Sequence, residues 1–201
     1  MAKRGFDLCI AALALLLLSP LLMLLALWIR LDSPGPVLFR QQRVGRFGAL
    51  FQIRKFRTMV VDAATCGALI TAANDARVTR AGRWLRRYRL DELPQLLDVL
   101  QGSMSLVGPR PEVPRFVAHY PEALRAAVLS VRPGLTDPAA IAHLDEAAML
   151  ADAPDPERAY IERILPAKLR LQADYAARAT LRSDLGVLLR TLRALLGQRR
   201  Q

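Results

Sequence analysis

From Leu8 to Ile29 the chain carries no charged residue, and that run constrains the fold more than any other feature. At about 1.5 Å of rise per residue it makes a helix that matches a hydrocarbon core of about 30 Å. Such a segment must meet a membrane. A cleaved signal peptide fits the Lys3-Arg4 start, but no small-x-small pattern closes the run before Trp28-Ile29-Arg30. Ser19-Pro20 stands at the middle, and proline removes a backbone hydrogen bond and bends a helix. Lys3 and Arg4 lie on one side and Arg30, Arg40, Arg43 and Arg46 on the other, so the positive-inside rule keeps both flanks in the cytosol. A re-entrant hairpin satisfies that rule. An ordinary spanning helix with a tolerated proline satisfies the length equally well.

At 201 residues the chain suits one domain with a real core. Its 29 Lys and Arg against 18 Asp and Glu give a formal charge of +11, which calls for an anionic partner: nucleic acid, an anionic lipid surface or a polyphosphate. Aromatic residues are only 6% of the chain and do not interleave with the basic ones as a base-stacking platform, which argues against nucleic acid. Cys9 and Cys66 lie apart, so neither a disulfide framework nor a metal-thiolate motif is supported, and a reducing cytosolic setting fits.

Beyond the apolar run, Asp32-Ser33-Pro34-Gly35-Pro36 ends the helix. Val37 to Arg40 and Phe51 to Phe56 read as the strands of a small β-hairpin around Gly45-Arg46-Phe47-Gly48. Val60 to Asn74 reads as a helix or a loop. Arg80 to Tyr88 reads as a basic helix that can lie along anionic membrane lipids, and Leu93 to Leu100 as a second helix. Ser183 to Leu196 carries an apolar stripe with Arg190 and Arg193, to be laid on the membrane or on the core. His119 and His143 lack partners at metal-ligand spacing, and Asp145, Glu146, Asp152, Asp155 and Glu157 read as a solvated face.

The chemistry is written in Leu90-Asp91-Glu92-Leu93-Pro94-Gln95-Leu96, which follows Arg83, Arg86, Arg87 and Arg89 and precedes Gly108-Pro109-Arg110-Pro111. A carboxylate can attack phosphorus or hold a divalent cation, while guanidinium groups bind phosphate oxygens. The plainer reading is that Asp91, Glu92 and Pro94 only begin a helix, where acids offset the dipole and proline costs no hydrogen bond. Two prolines around Arg110 present that side chain from a stiff turn, and the pairing of the two motifs favours phosphate chemistry.

Taken in order, Lys3-Arg4-Gly5-Phe6-Asp7, Ser19-Pro20, Ser33-Pro34-Gly35-Pro36-Val37, Gln42-Arg43-Val44-Gly45, Lys55-Phe56-Arg57-Thr58-Met59, Leu90 to Leu96, Met104 to Pro111 and Arg132-Pro133-Gly134-Leu135-Thr136 resemble the bacterial sugar transferase family, the monotopic phosphoglycosyl transferases, in its small form. The resemblance implies transfer of a sugar phosphate from a UDP-sugar to undecaprenyl phosphate at the cytoplasmic face of the bacterial inner membrane, with release of UMP. It implies Asp91 as nucleophile through an aspartyl phosphosugar, and magnesium held by Asp91 and Glu92. Lys55, Arg57, Arg86, Arg110, Pro111 and Arg132 become substrate- and phosphate-binding candidates, with Arg86 and Arg110 foremost; Arg132 is as suited to a structural role. Asp75, Arg77 and Arg80 suit an ion pair bracing a loop as well as a ligand role.

The expected architecture is an α/β, mostly helical, monotopic protein. Residues 1–31 form a re-entrant helix-break-helix anchor at Ser19 and Pro20, and residues 32–201 a cytosolic-face catalytic domain in one folding unit with it, with surface amphipathic helices and a small sheet. The oligomeric state stays open, a homo-oligomer included. Many relatives continue the Arg-Pro-Gly-Leu-Thr run with glycine, whereas this chain has Asp137-Pro138-Ala139-Ala140. A catalytically inactive, membrane-tethered scaffold of the same fold is the rival reading.

Overall fold

A computed structural model describes residues 2–64, 75–143, 149–150 and 153–197. The apolar run is one helix, α1 (Ala2–Asp32), and among the described residues it alone is long and apolar enough to cross a membrane. It passes through Pro20 without interruption, where the sequence led us to expect a break between two helices. Pro20 has no N–H to offer the Leu16 carbonyl, and the Ser19 hydroxyl donates to that carbonyl at 2.8 Å instead. The vacated acceptor is satisfied locally, so helical backbone continues.

β1 (Leu38–Val44) and β2 (Leu50–Phe56) form the expected antiparallel hairpin, with Leu38 opposite Phe56 and Val44 opposite Leu50. α2 (Arg80–Arg87) starts where the Thr79 hydroxyl accepts the Gly82 N–H at 2.9 Å. Asp32 accepts the Ala81 N–H at 3.0 Å, so the end of α1 fixes the start of α2. α3 (Gln95–Gln101) leads into β3 (Ser105–Val107), which pairs in parallel with β4 (Gly134–Thr136). Between these strands lie α4 (Pro114–Val117) and α5 (Glu122–Leu129). α6 (Pro138–Ala142), α7 (Pro156–Ala159), a π-helical turn (Tyr160–Ile164), α8 (Leu165–Arg178) and α9 (Leu181–Gly197) complete the described chain.

Both halves of α1 belong to the core. Ala11 packs with Ile53, Val99, Met104 and Val187, and Leu25 and Ile29 pack with Phe56 and Leu85. A third cluster joins Val44, Phe116, Val117, Tyr160 and Leu169. On α9, Val187 is buried while Leu185, Leu189 and Leu192 stay exposed. Asp155 caps α7 and Glu157 pairs with Arg115 at 2.7 Å, so part of the acidic run is in use. Val61–Ala64 is a 3-10 turn. Residues 65–74, with Cys66, and the acids Asp145, Glu146 and Asp152 lie outside the described residues.

Candidate active site

The acid pair stands before α3, in a separate 3-10 turn, Leu90–Glu92, entered through Arg89 at φ 56. Neither carboxylate accepts an N–H from α3 among the described residues, so what the pair offers that helix is charge near its dipole and not a hydrogen-bonded cap. β2 brings Lys55 and the turn after β3 brings Arg110. Lys55 Nζ donates to Glu92 Oε1 at 3.1 Å, and the Arg110 guanidinium grips both Glu92 oxygens, with Nη1 3.0 Å from Oε2 and Nη2 bonded to Oε1. This two-pronged, charge-assisted geometry is the strong form of the arginine–carboxylate bond. Asp91 is buried and receives no hydrogen bond among the described residues.

Electrostatics separate the two acids. Burial and the neighbouring Glu92 charge push the Asp91 carboxyl up, against the pull of Lys55, Arg86 and Arg110. Burial also opposes ionisation of Glu92, but Arg110 and Lys55 outweigh it and hold its carboxyl well below the usual range. Glu92 in turn raises Arg110 further. Burial lowers Lys55 and Arg86. Arg86 donates from Nε to Thr58 Oγ1 at 2.9 Å and acts on the Asp91 charge.

Two motifs cross to support Arg110. A Cβ on Gly134 would stand 2.0 Å from the Gly108 nitrogen, and one on Gly108 would stand 2.3 Å from the Arg132 oxygen, so only glycine fits at either place. Gly134 N–H then reaches the Pro109 carbonyl at 3.0 Å. The Pro111 carbonyl accepts from Arg43 at 3.1 Å, and Arg43 lies 3.5 Å from Glu112. Glu112 accepts the Tyr160 hydroxyl at 2.5 Å and lies 3.5 Å from Lys168. Burial disfavours the Glu112 charge, yet Lys168 and Arg43 hold its carboxyl below the ordinary value. Arg43 and Glu112 stood in recognisable motifs without being read as support, whereas Tyr160 and Lys168 gave no local signal.

Not every expected residue joins the cluster. Arg57 is buried and clamps the end of α1, donating to the Ser33 carbonyl at 2.7 Å, its hydroxyl at 3.0 Å and the Pro34 carbonyl at 2.5 Å. A helix end leaves carbonyls unpaired, and Arg57 satisfies those around this one. Arg132 donates to the Gly102 carbonyl at 2.9 Å and holds the chain after α3. Asp75 and Arg77 pair at 2.6 Å, and that bond draws the Asp75 carboxyl down to about 2. Pro111 contributes its carbonyl, while Ser19 and Pro20 lie in α1.

Together the structure places one long apolar helix and, on the same domain, two adjacent carboxylates ringed by Lys55, Arg86 and Arg110. The chain belongs to the bacterial sugar transferase family, whose model matches residues 1–198. A UDP-glucose:undecaprenyl-phosphate glucose-1-phosphate transferase of Caulobacter vibrioides is 43% identical over 198 residues, 96% of this chain and 69% of that protein. An undecaprenyl-phosphate glucose phosphotransferase of Komagataeibacter xylinus is 51% identical over 67% of this chain. A UDP-N-acetylgalactosamine-undecaprenyl-phosphate N-acetylgalactosaminephosphotransferase of Aeromonas hydrophila is 44% identical over 70% of it. The matches span only 26% and 34% of those last two relatives.

Proposed function

We propose that this chain transfers a sugar phosphate from a UDP-sugar to undecaprenyl phosphate at the cytoplasmic face of the bacterial inner membrane. The observation that carries the reading is the contrast within the acid pair: Glu92 is clamped by Arg110 and Lys55, while Asp91 has no hydrogen-bond donor among the described residues. A buried carboxylate with unused lone pairs is a poor structural element and a good nucleophile.

An Asp91 oxygen attacks the sugar-bearing phosphorus, the bond to the bridging oxygen breaks, and UMP leaves with its electron pair. An oxygen of the lipid phosphate then attacks the same phosphorus and the aspartyl bond breaks, which restores the carboxylate and yields a polyprenyl diphosphosugar. Arg110, Lys55 and Arg86 offset the charge of the diphosphate as the anionic nucleophile approaches. The donor set fits magnesium in a limited way: among the described residues nothing donates to Asp91, whereas both Glu92 oxygens are engaged. Magnesium is content with one or two carboxylates plus phosphates and water. When bound it supplies charge neutralisation at the diphosphate.

What supports a re-entrant α1 is its double attachment. Arg4 donates to the Val99 carbonyl at 2.7 Å near one end, Trp28 stacks edge-on against Trp84 at 5.4 Å near the other, and Leu16, Leu17, Met23 and Leu24 between them are exposed. The test of the reaction is UMP release by the nanodisc-held protein with undecaprenyl phosphate, magnesium and single UDP-sugars. Release with one donor supports the reading and names the sugar. Donor binding without UMP release, beside an active relative in the same assay, favours the inactive scaffold.

A further inference from the structure

Asp137 follows β4 directly, and it is fully buried. A carboxylate taken wholly out of water needs its lone pairs filled, and the way these are filled links three elements. Oδ1 accepts the Ala140 N–H at 2.5 Å and caps α6. Oδ2 accepts the main-chain N–H of Arg110 at 2.9 Å and the Gln172 amide N–H of α8 at 2.7 Å. Gln172 is itself buried, so the bonds form inside the domain.

We propose that Asp137, with Gln172 behind it, is a positioning residue that sets the Arg110 guanidinium on Glu92 beside Asp91; the proposal rests on the transfer reaction given above. The other residues of the turn are already fastened. The Gly108 N–H reaches the Thr136 carbonyl at 3.0 Å, the Pro109 carbonyl accepts from Gly134 at 3.0 Å, and the Glu112 carbonyl accepts from Val44 at 2.9 Å. Pro109 and Pro111 have no N–H to give, so the Arg110 N–H is the one main-chain donor within the Pro-Arg-Pro triplet. Asp137 takes it. The same carboxylate also acts electrostatically on the Arg110 guanidinium, whose planar fork must meet Glu92 in one orientation.

The test is Asp137→Asn in the full-length protein in nanodiscs, read by single-turnover UMP release and by amide hydrogen exchange of the peptide covering 108–112. Asparagine keeps an oxygen to cap α6, but with that oxygen so used it turns an N–H toward Arg110 and Gln172. The expected result is a fall in the rate at saturating donor of about tenfold to a hundredfold, the range a misplaced catalytic group produces, with faster exchange confined to 108–112. In an Arg110→Lys background the same substitution should add little, because both changes act through one side chain. Unchanged turnover, exchange that rises throughout the domain, or effects that multiply in the double variant would each overturn the proposal. If Asp137→Asn does not fold, the unsubstituted protein decides: slow exchange at Arg110 supports the bond and fast exchange overturns it. A wild-type protein that releases no UMP defeats the transfer reading instead, and the exchange measurement still reports on Asp137.

Discussion

Two of the buried carboxylate clusters among the described residues are finished to different degrees. Beneath the start of α1, Asp184 is bonded by Lys3 and accepts the Tyr175 hydroxyl at 2.5 Å, while Asp7 accepts the Ser105 hydroxyl at 2.8 Å and the Leu106 N–H at 3.3 Å. At the proposed active site Glu92 is equally well served, but Asp91 is not. The first cluster spends all its polar groups on holding the helix. The second keeps one carboxylate in reserve at a cost in stability, which is how strained or unsatisfied groups at working sites are usually maintained.

The sharpest way to break that comparison is Asp91→Asn. It should reduce UMP release to background while membrane association is retained, and normal turnover by that variant would remove the nucleophile assignment. Next in size, Arg110→Ala should lower the turnover by about 10²–10³, as loss of one charge-stabilising donor does, measured with saturating donor. Asp184→Asn belongs to the other cluster: it should cost about 1–3 kcal/mol of stability, seen as a lower thermal midpoint, with turnover per folded molecule unchanged. A turnover defect there would erase the division between holding and working carboxylates.

Acid titration separates the two members of the active pair. Glu92 has a folded pKa below its unfolded one, so its stabilisation is present above the unfolded glutamate value of about 4.3 and is lost as pH falls through the folded value. Glu92→Gln should flatten that acid limb of the thermal midpoint. Asp91 has the opposite sign: burial raises its folded pKa, so its stabilisation is present below the unfolded value and lost as pH rises through the folded one. Turnover needs the ionised form and should therefore fade on acidification earlier than an ordinary carboxylate would require. The smallest effect is on stability: Asp91→Asn should raise the midpoint slightly at neutral pH, where Asp184→Asn lowers it.

Legibility followed sequence distance. The hairpin, α2 and the acid pair were readable because each rests on residues within one short stretch, and Arg110 was readable because two prolines announce a stiff turn. Arg57 stands in a motif that suits a phosphate ligand, but its partners at Ile29, Ser33 and Pro34 belong to the helix end, and no local pattern tells a buried carbonyl clamp from an anion site. Tyr160, on the π-helical turn, and Lys168, on α8, reach Glu112 through tertiary contacts that spacing does not encode. The continuity of α1 through Pro20 was missed for a different reason. One serine hydroxyl repairs what the proline removes, and composition alone does not reveal that repair.

The placement of Ala11, Leu25 and Ile29 in two of the three core clusters bears on how this protein can be handled. A tether can be cut away or exchanged for another, but here the long apolar helix is also an inner wall of the folded domain. Deleting it to obtain a water-soluble form would leave Leu85, Phe56, Val99 and Met104 facing solvent and would free the Arg57 clamp and the Asp32 cap together. Solubility has to be sought by redesigning the outer leucines of α1, with the inward residues kept.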